Sequence, residues 1–321
     1  MEITYGRGVP LRQIDPDKEN TFAAGTAVAL GFFDGVHEGH RALLKELKTL
    51  SEKEGLKSVV YTFVNHPAEA LGKEVKLLCS NRQKAAYISE EGADQLVFDW
   101  FDEEFSRMPP EQFVCDVLAG YLHARIVVAG DNYTFGFKGS GNVRMLSELG
   151  ERYGFKTVII PRIETLTGGK SVTVSSSLLR ELIARGQMRE YARLTGHPFV
   201  IEGIVRTGRE VGRKIGFPTA NIIPDGRLAL PERGVYATLT RISSAPGAAY
   251  KSITNIGINP TFADAGGVSI ETNILDFEGD LYGRTLTVEV LEKMRDEFHF
   301  PDPDALRKQI ASDAEKRRQI I

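Results

Sequence analysis

Short apolar runs alternate with segments of helical periodicity through the first 186 residues. Segments such as residues 39–53 and 81–90 place apolar side chains on one face of a helix. Strands that alternate with helices predict βαβ units and a parallel sheet. The predicted strands are residues 26–32, 57–63, 95–98, 125–130 and 155–160, and further helices are predicted over residues 109–122 and 141–153.

Beyond residue 186 the pattern changes to the period-two alternation of strands. Thr195-Gly196-His197-Pro198 breaks the preceding helix, and a last helical pattern begins at about Asp304. Turns rich in Gly, Pro, Asp and Asn separate the strands, which predicts a small antiparallel β-barrel. We therefore predict an α/β domain over residues 1–186 and a β domain with a C-terminal helix over residues 187–321. The predicted barrel strands are residues 199–206, 234–242, 251–256, 268–275 and 285–291.

Composition and charge restrict the partners of the chain. Its 321 residues carry a net charge of −3 and no basic run, so charge gives no support for a nucleic-acid partner. No apolar stretch has the length of a membrane span, and the N-terminus lacks the apolar core of a signal peptide. Cys79 and Cys115 are too few for a disulfide framework. We expect a cytoplasmic protein that acts on small molecules; a homo-oligomer is compatible with the sequence.

Residues 31–40, Gly-Phe-Phe-Asp-Gly-Val-His-Glu-Gly-His, join the first predicted strand to its helix. The glycines let the backbone approach a ligand, and a helix N-terminus offers free N–H groups and positive dipole charge to phosphate. His37 and His40 stand at this junction, where their imidazoles could hydrogen-bond phosphoryl oxygens. A surface loop and a zinc site are the other interpretations, but no Cys/His pair with zinc-ligand spacing accompanies the motif. We interpret it as a phosphate site.

Two further segments of the first domain are candidate ligand-binding segments. The loop after the fourth strand contains Asn132 and Phe135 among glycines, and ligands of open α/β sheets bind beyond the carboxyl ends of strands. We expect strands one and four to be neighbours; an ordinary surface loop is the alternative. Residues 175–177 are serines that open a helix, with Arg180 one turn later. They predict both a helix cap and a cradle for polyphosphate.

The second domain contains a glycine-rich basic loop and a candidate base. Residues 208–221, Gly-Arg-Glu-Val-Gly-Arg-Lys-Ile-Gly-Phe-Pro-Thr-Ala-Asn, could close over phosphates. Thr219 and Asn221 are period-two neighbours whose oxygens could ligate Mg²⁺; a long hairpin with one polar face is the alternative. Glu271 lies on the face of its strand opposite Ile270 and Thr272, where it could act as a general base or could be an exposed strand residue.

These motifs together resemble the bacterial bifunctional riboflavin kinase/FMN adenylyltransferase (FAD synthetase) family. The resemblance covers nearly the whole chain and implies a Rossmann-like nucleotidyltransferase domain followed by a barrel kinase domain. Asn255-Ile256-Gly257, Pro260-Thr261 and Arg295-Asp296-Glu297 match in order, whereas Asn273 stands where many relatives have His. The implied activities are phosphorylation of riboflavin by ATP to FMN and adenylylation of FMN to FAD, with release of pyrophosphate.

The resemblance also implies roles for individual residues. Glu271 would be the base of the kinase, Mg²⁺ would bind at Thr219 and Asn221, and His37, His40 and Arg180 would stabilise charge in the adenylyl transfer. The implied flavin-binding residues are Asn132, Phe135, Asn255 and Arg295. The implied ATP- and phosphate-binding residues are Gly31, Phe33, His37, His40, Ser175, Ser176, Ser177, Arg180, Gly208, Gly212, Arg213 and Gly216.

Two rival functions are considered. One is another nucleotidyltransferase whose C-terminal domain only regulates, and residues 208–221 argue against it. The other is a flavin carrier without catalysis, against which the full set of candidate catalytic residues argues.

Overall fold

The structure is a computed structural model that describes residues 1–5, 22–208, 212, 215–245, 247–258 and 268–320. The chain divides into two compact units, Met1–Ser176 and Ser177–Ile321. This division falls within residues 175–177, which we call the serine segment. The boundary after residue 186, where the sequence pattern changes, stays a prediction.

A parallel sheet of six strands forms the centre of the first unit. The strands of this unit are β1 (Glu2–Tyr5), β2 (Thr26–Leu30), β3 (Lys57–Phe63), β4 (Gln95–Asp99), β5 (Ala124–Gly130), β6 (Thr134–Phe135), β7 (Gly141–Asn142), β8 (Lys156–Ile160), β9 (Glu164–Thr167) and β10 (Lys170–Thr173). The sheet has the order β1-β4-β3-β2-β5-β8, and every neighbouring pair is parallel. The predicted parallel sheet is confirmed. β2 and β5 are neighbours as expected, so the strand order switches between them, where open sheets bind ligands.

Helices and apolar cores lie on the two faces of this sheet. Alternate residues of β2 point to opposite faces, so Ala27 and Ala29 join one core while Val28 and Leu30 join the other. The apolar face of the first helix packs on the core that contains Ala27. The helices are α1 (Glu38–Glu54), α2 (Pro67–Ala70), α3 (Asn81–Glu90), α4 (Glu103–Ser106), α5 (Pro110–Gln112) and α6 (Val143–Tyr153).

The segment predicted as one helix over residues 109–122 winds mostly as a π-helix. Only α5 is α-helical, and Phe113–Tyr121 form the wider winding. The N–H of Leu122 accordingly donates to the carbonyl of Val117, five residues back. Apolar periodicity over so few residues does not separate the two windings. Strand β1 and the β9–β10 hairpin were also not predicted from the sequence.

A closed antiparallel barrel forms the second unit, with helices before and after it in the chain. Its strands are β11 (Phe199–Arg206), β12 (Ala220–Pro224), β13 (Gly234–Ile242), β14 (Ala249–Ile258), β15 (Val268–Ile274) and β16 (Thr285–Arg295), in the order β11-β12-β15-β14-β13-β16. Helices α7 (Ser176–Ala184) and α8 (Met188–Thr195) precede the barrel, and α9 (Pro303–Gln319) follows it. The predicted barrel and C-terminal helix are confirmed.

Hydroxyl groups fill part of the barrel interior. They belong to Thr238, Thr240, Ser252, Thr254 and Thr272, which are at most 1% exposed. Their Oγ atoms are linked in one chain by hydrogen bonds of 2.7–2.9 Å. Because a hydroxyl both donates and accepts, the chain satisfies these buried polar groups within the barrel.

Candidate active sites

The loop between β2 and α1 brings the two predicted histidines into contact. His37 is the N-cap of α1, and its Nδ1 accepts a hydrogen bond of 3.3 Å from the backbone N–H of His40. The two imidazole rings stack with centroids 3.8 Å apart and an angle of 14° between their planes. The paired imidazoles therefore lie at the helix N-terminus, where the dipole and free N–H groups favour an anion.

Burial keeps both imidazoles neutral. Burial lowers the pKa of His37 to about 4, against a smaller raising effect of its backbone hydrogen bond. The pKa of His40 is lowered well below its usual value by burial, and further by the charges of His37 and Lys84. Because Nδ1 of His37 accepts a hydrogen bond, the ring proton of the neutral form lies on Nε2, which can donate to an oxygen. Nδ1 of His40 is buried and has no hydrogen-bond partner within the described part of the chain.

Phe33 and Gly31 pack closely together within this loop. Phe33 is fully buried with a positive φ of 55°, and its ring centroid lies 5.1 Å from that of His40. A Cβ on Gly31 would come within 3.0 Å of the Phe33 ring, so only glycine lets the strand pass so close. The ring of Phe33 thus packs against the imidazole of His40. The ATP contacts of Gly31 and Phe33 stay predictions.

Hydrogen bonds join the loop between β2 and α1, the histidine loop, to two other segments. Oδ1 of Asp34 accepts the N–H of Leu78 at 2.9 Å, and the N–H of Gly35 donates to Sγ of Cys79 at 3.4 Å. The hydroxyl of Ser176 donates to the carbonyl of Asp34 at 3.1 Å. Ser176 is therefore in direct contact with the histidine loop within the first unit.

The remaining residues of the serine segment lie around the start of α7. Ser175 precedes the helix and is partly buried, Ser177 is exposed in its first turn, and Arg180 follows one turn later, partly buried. Their phosphate-binding roles stay predictions.

The loop after β5 is anchored by aromatic packing. Asn132 is exposed beside Gly130, whereas Phe135 is buried in the core, with its ring centroid 5.7 Å from that of Phe113. A Cβ on Gly136, whose φ is 73°, would clash with Pro110 at 2.6 Å. The loop is therefore held against the start of the π-helix, and the flavin contacts of Asn132 and Phe135 stay predictions.

In the barrel, the candidate base lies between two asparagines on neighbouring strands. Asn221 of β12 pairs with Glu271 of β15, which pairs with Asn255 of β14. Directly opposed residues of antiparallel strands point to the same face, so the three polar side chains form one row. The carboxylate oxygen Oε1 of Glu271 also accepts a hydrogen bond of 3.1 Å from Ser269. The row puts a carboxylate next to an amide of the predicted metal pair.

Asn273 has a positioning role that the sequence did not suggest. Its Nδ2 donates a hydrogen bond of 2.7 Å to the carbonyl of Pro218, and the residue is 7% exposed. Pro218 immediately precedes Thr219. Asn273 therefore holds the start of the predicted metal-binding segment against β15.

Close packing explains two glycines of the glycine-rich loop. A Cβ on Gly208 would lie 2.1 Å from the amide of Asn221, and one on Gly212 would lie 2.2 Å from the carbonyl of Phe217. Both glycines therefore let backbone approach this segment. Gly216 has a φ of 84° and open space around it. Arg213 and the Pro260-Thr261 pair lie outside the described residues, and the phosphate contacts of the loop stay predictions.

A cavity of about 610 Å³ opens beside Thr219. Such a volume is of the size that holds a nucleotide-sized ligand. Thr272 and Tyr282 also line it, and Asp280 and Glu278 supply carboxylates at its rim. The cavity lies within the second unit, and of the predicted metal pair only Thr219 lines it.

The donors present here fit Mg²⁺ bound together with phosphates. Among the described residues, no three His, Cys, Asp or Glu side chains form a metal cage. Mg²⁺ usually takes one or two protein oxygens and completes its shell with phosphates and water. Thr219 and Asn221 offer one hydroxyl and one amide oxygen, which suits that mode of binding.

Arg295, predicted to bind flavin, has well-defined protein partners. Its guanidinium donates to the buried carboxylate of Asp313 on α9 at 2.9 Å and to the carbonyl of Asp296. It also lies 4.6 Å from the ring centroid of Phe298. Arg295 thus attaches α9 to the barrel, and its flavin contact stays a prediction. Nδ2 of Asn255 donates a hydrogen bond of 3.1 Å to Oε1 of Glu297. The predicted flavin contact of Asn255 likewise stays a prediction.

Together, the two sites define a transferase with two nucleotide-handling modules, one on a parallel sheet and one on a barrel. A family model described as FAD synthetase matches residues 19–178, and one described as riboflavin kinase matches residues 195–321. Relatives from Listeria monocytogenes and Escherichia coli strain K12, both named bifunctional riboflavin kinase/FMN adenylyltransferase, are 35% and 36% identical. The alignments cover 92% of this chain and 92% and 93% of those relatives. The chain belongs to the bifunctional riboflavin kinase/FMN adenylyltransferase family.

One solved structure shares the fold over its whole length. It is a crystal structure titled macrolide-efflux protein from Streptococcus pneumoniae, with a TM-score of 0.86, 28% identity and 100% of both chains covered. In the described part of this chain, no helix combines the length and apolar character needed to cross a membrane. The predicted family, fold class and two-step synthesis of flavin nucleotides are confirmed by the two matched domains and the named relatives.

Proposed function

We propose that FMN is adenylylated at the histidine loop of the first unit. An oxygen of the FMN phosphate attacks the α-phosphorus of ATP, and the bond to the leaving pyrophosphate breaks. The phosphate is already an anion, so the step needs charge stabilisation rather than a base. The N–H on Nε2 of His37, His40 and the N-terminus of α1 would donate to the phosphoryl oxygens. Arg180 and residues 175–177 would hold the remaining phosphates. The stacked imidazoles at the helix N-terminus support this assignment.

We propose that the barrel phosphorylates riboflavin with Glu271 as the base. The carboxylate takes the proton of the 5′-hydroxyl, whose oxygen attacks the γ-phosphorus of ATP while ADP leaves. Ser269 orients the carboxylate through its hydrogen bond. The observation that carries the proposal is the row of Asn221, Glu271 and Asn255 across three strands. Thr219 and Asn221 would hold Mg²⁺, which neutralises charge on the phosphates when it is bound.

A mass-resolved assay tests both activities together. The full chain is incubated with riboflavin, ATP and Mg²⁺, and FMN, FAD, ADP and pyrophosphate are measured with time. We expect FMN with ADP first, then FAD with pyrophosphate. Turnover of ATP without any flavin product would contradict the proposal.

We also propose that the enzyme works in the cytoplasm, since Cys79 and Cys115 are both free thiols.

A fragment of residues 187–321 should fold alone and keep the kinase activity. Its first helix is already packed on the barrel: Met188, Tyr191 and Leu194 are buried, and Arg189 forms an ion pair with Glu292 of β16. Circular dichroism and the rate of FMN formation measure the outcome. A folded fragment that makes no FMN refutes the domain assignment, and an unfolded fragment shows that the barrel needs residues before 187.

Asn273→Ala should slow FMN formation and leave FAD formation from supplied FMN unchanged. The variant loses the hydrogen bond that holds Pro218, so Thr219 is no longer fixed at the metal position. A misplacement of this kind costs about 10²-fold in rate, and we expect the Mg²⁺ concentration for half-maximal rate to rise. Ser243→Ala, in a barrel turn on the same unit, is the control. Unchanged kinetics at all Mg²⁺ concentrations would count against the positioning role.

A further inference from the structure

Lys84 is a buried cation for which the adenylylation mechanism above has no use. It lies in the first turn of α3 and is 1% exposed. Lysine is almost never fully buried unless it is paired. Its ammonium nevertheless forms no ion pair within 4.0 Å among the described residues, and its one hydrogen bond there, to the carbonyl of Phe63, is long at 3.5 Å.

The ammonium lies at the edge of the sheet where the carboxyl ends of the strands are. Phe63 is the last residue of β3. Nζ also lies 3.7 Å from the ring centroid of Phe32, two residues after β2, and 5.7 Å from that of Phe98, near the end of β4. The charge therefore sits where the carboxyl ends of three neighbouring parallel strands converge, at the edge where such sheets bind ligands.

The groups around Lys84 leave its charge only partly balanced. Its charge interacts electrostatically with Asp34 of the histidine loop, Cys79 of the segment before α3 and His40 of α1. Among the described residues, its contacts at the ends of β2, β3 and β4 are the rings of Phe32 and Phe98 and the carbonyl of Phe63. Burial lowers the pKa of Lys84 to about 8, although Cys79 and Asp34 act in the opposite direction. An ammonium in this environment costs desolvation energy that an apolar side chain of the same length would avoid.

We propose that Lys84 supplies a buried positive charge to the adenylylation site and that its field, from beside the histidine loop, helps to hold the phosphates of the nucleotide and of FMN. This inference rests on the proposed adenylylation at that loop. The charge of Lys84 also adds to the larger effect of burial in lowering the pKa of His40, so the neutral imidazole of His40 can act as a hydrogen-bond donor. The histidine loop then has a buried ammonium beside several neutral donors before substrate binds.

The test compares Lys84→Met with the parent full-length enzyme over pH 6.5 to 9.5, with FAD formation from supplied FMN and ATP as the readout. Methionine keeps the length and fills the buried space. At pH 7 we expect FAD formation to fall about 10- to 100-fold, the effect of one unit charge acting over about 6 to 12 Å in a medium of effective dielectric about 20. As pH rises through about 8, the parent loses its own ammonium charge. The ratio of the two rates should therefore shrink to about fourfold or less by pH 9.5.

A purely structural lysine predicts a different result. Loss of packing would lower the rate by the same factor at every pH, so a ratio that does not change with pH overturns the proposal, as does a rate within twofold of the parent at pH 7. Lys45→Met is the matched control, because Lys45 is an exposed residue of α1 in the same unit, and it should behave as the parent. FMN formation reports on folding of the second unit, and Lys84→Gln replaces Lys84→Met if the latter is unstable. A parent enzyme that makes no FAD refutes the proposed function itself rather than the role of Lys84.

Discussion

His40→Ala should lower FAD formation from FMN and ATP by about 10²- to 10³-fold, the usual effect of losing one preorganised donor, and leave FMN formation unchanged. The imidazole of His40 stacks on that of His37 and packs against the ring of Phe33. Its removal therefore takes away a donor and loosens the orientation of its neighbour. The barrel belongs to the other unit, so riboflavin phosphorylation should continue. Both products are followed in one chromatographic assay.

The control for this variant is a histidine at the opposite end of the strands. His123 immediately precedes β5 and has a positive φ of 46°. Asparagine tolerates that conformation, so His123→Asn removes an imidazole with little strain and should retain FAD formation. Near-normal FAD synthesis by His40→Ala would remove His40 from the mechanism. Thermal unfolding of both variants separates loss of chemistry from loss of folded protein.

The histidine loop could be predicted because its information is local. A strand, a polar turn and a helix are contiguous in sequence, so the position of His37 at the start of α1 follows from the pattern of apolar residues alone. The meeting of this loop with Ser176 requires the fold, since the hydrogen bond to Asp34 joins residues 142 positions apart. Sequence reasoning could place both segments at the same edge of a sheet but could not give that contact.

Lys84 shows why the rest of the first site was missed. A lysine in the first turn of an amphipathic helix normally faces solvent. Here the Lys84 side chain reaches groups at the ends of β2, β3 and β4, and its direction depends on how α3 packs on the sheet rather than on helical periodicity. The neighbouring buried residues Ala85 and Ile88 follow the apolar pattern, whereas the burial of Lys84 departs from it. A departure of this kind is visible only in the folded structure.

In the barrel, residue types were predictable but their register was not. Glu271 and Asn221 could each be identified as polar residues on a strand, yet they are adjacent only because β12 and β15 pair with one particular alignment. A shift of one residue would turn Glu271 to the other face. Asn273 could be recognised as unusual, but its bond to Pro218 depends on the same register.

Glu271→Gln should remove most FMN synthesis and leave adenylylation of supplied FMN intact. Glutamine keeps the shape of the side chain and still accepts the hydrogen bond from Ser269, so the row with Asn221 and Asn255 should persist. Only the proton acceptor is lost, and a positioned general base is worth about 10²–10⁴ in rate. Single-turnover formation of FMN measures the chemical step, and FAD formation from supplied FMN reports that the enzyme is folded.

Glu289→Gln supplies the matched control for a carboxylate on a barrel strand. Glu289 lies on β16 and pairs with Arg241 at 2.9 Å, near the surface. Loss of a surface ion pair costs about 0–1 kcal/mol of stability, so this variant should phosphorylate riboflavin like the parent. The two glutamate variants then differ by orders of magnitude in one assay if Glu271 is the base. If Glu271→Gln also stays within a few-fold of the parent, the hydroxyl proton leaves to water or to the phosphate itself, and the kinase mechanism reduces to the Mg²⁺ position at Thr219 and Asn221.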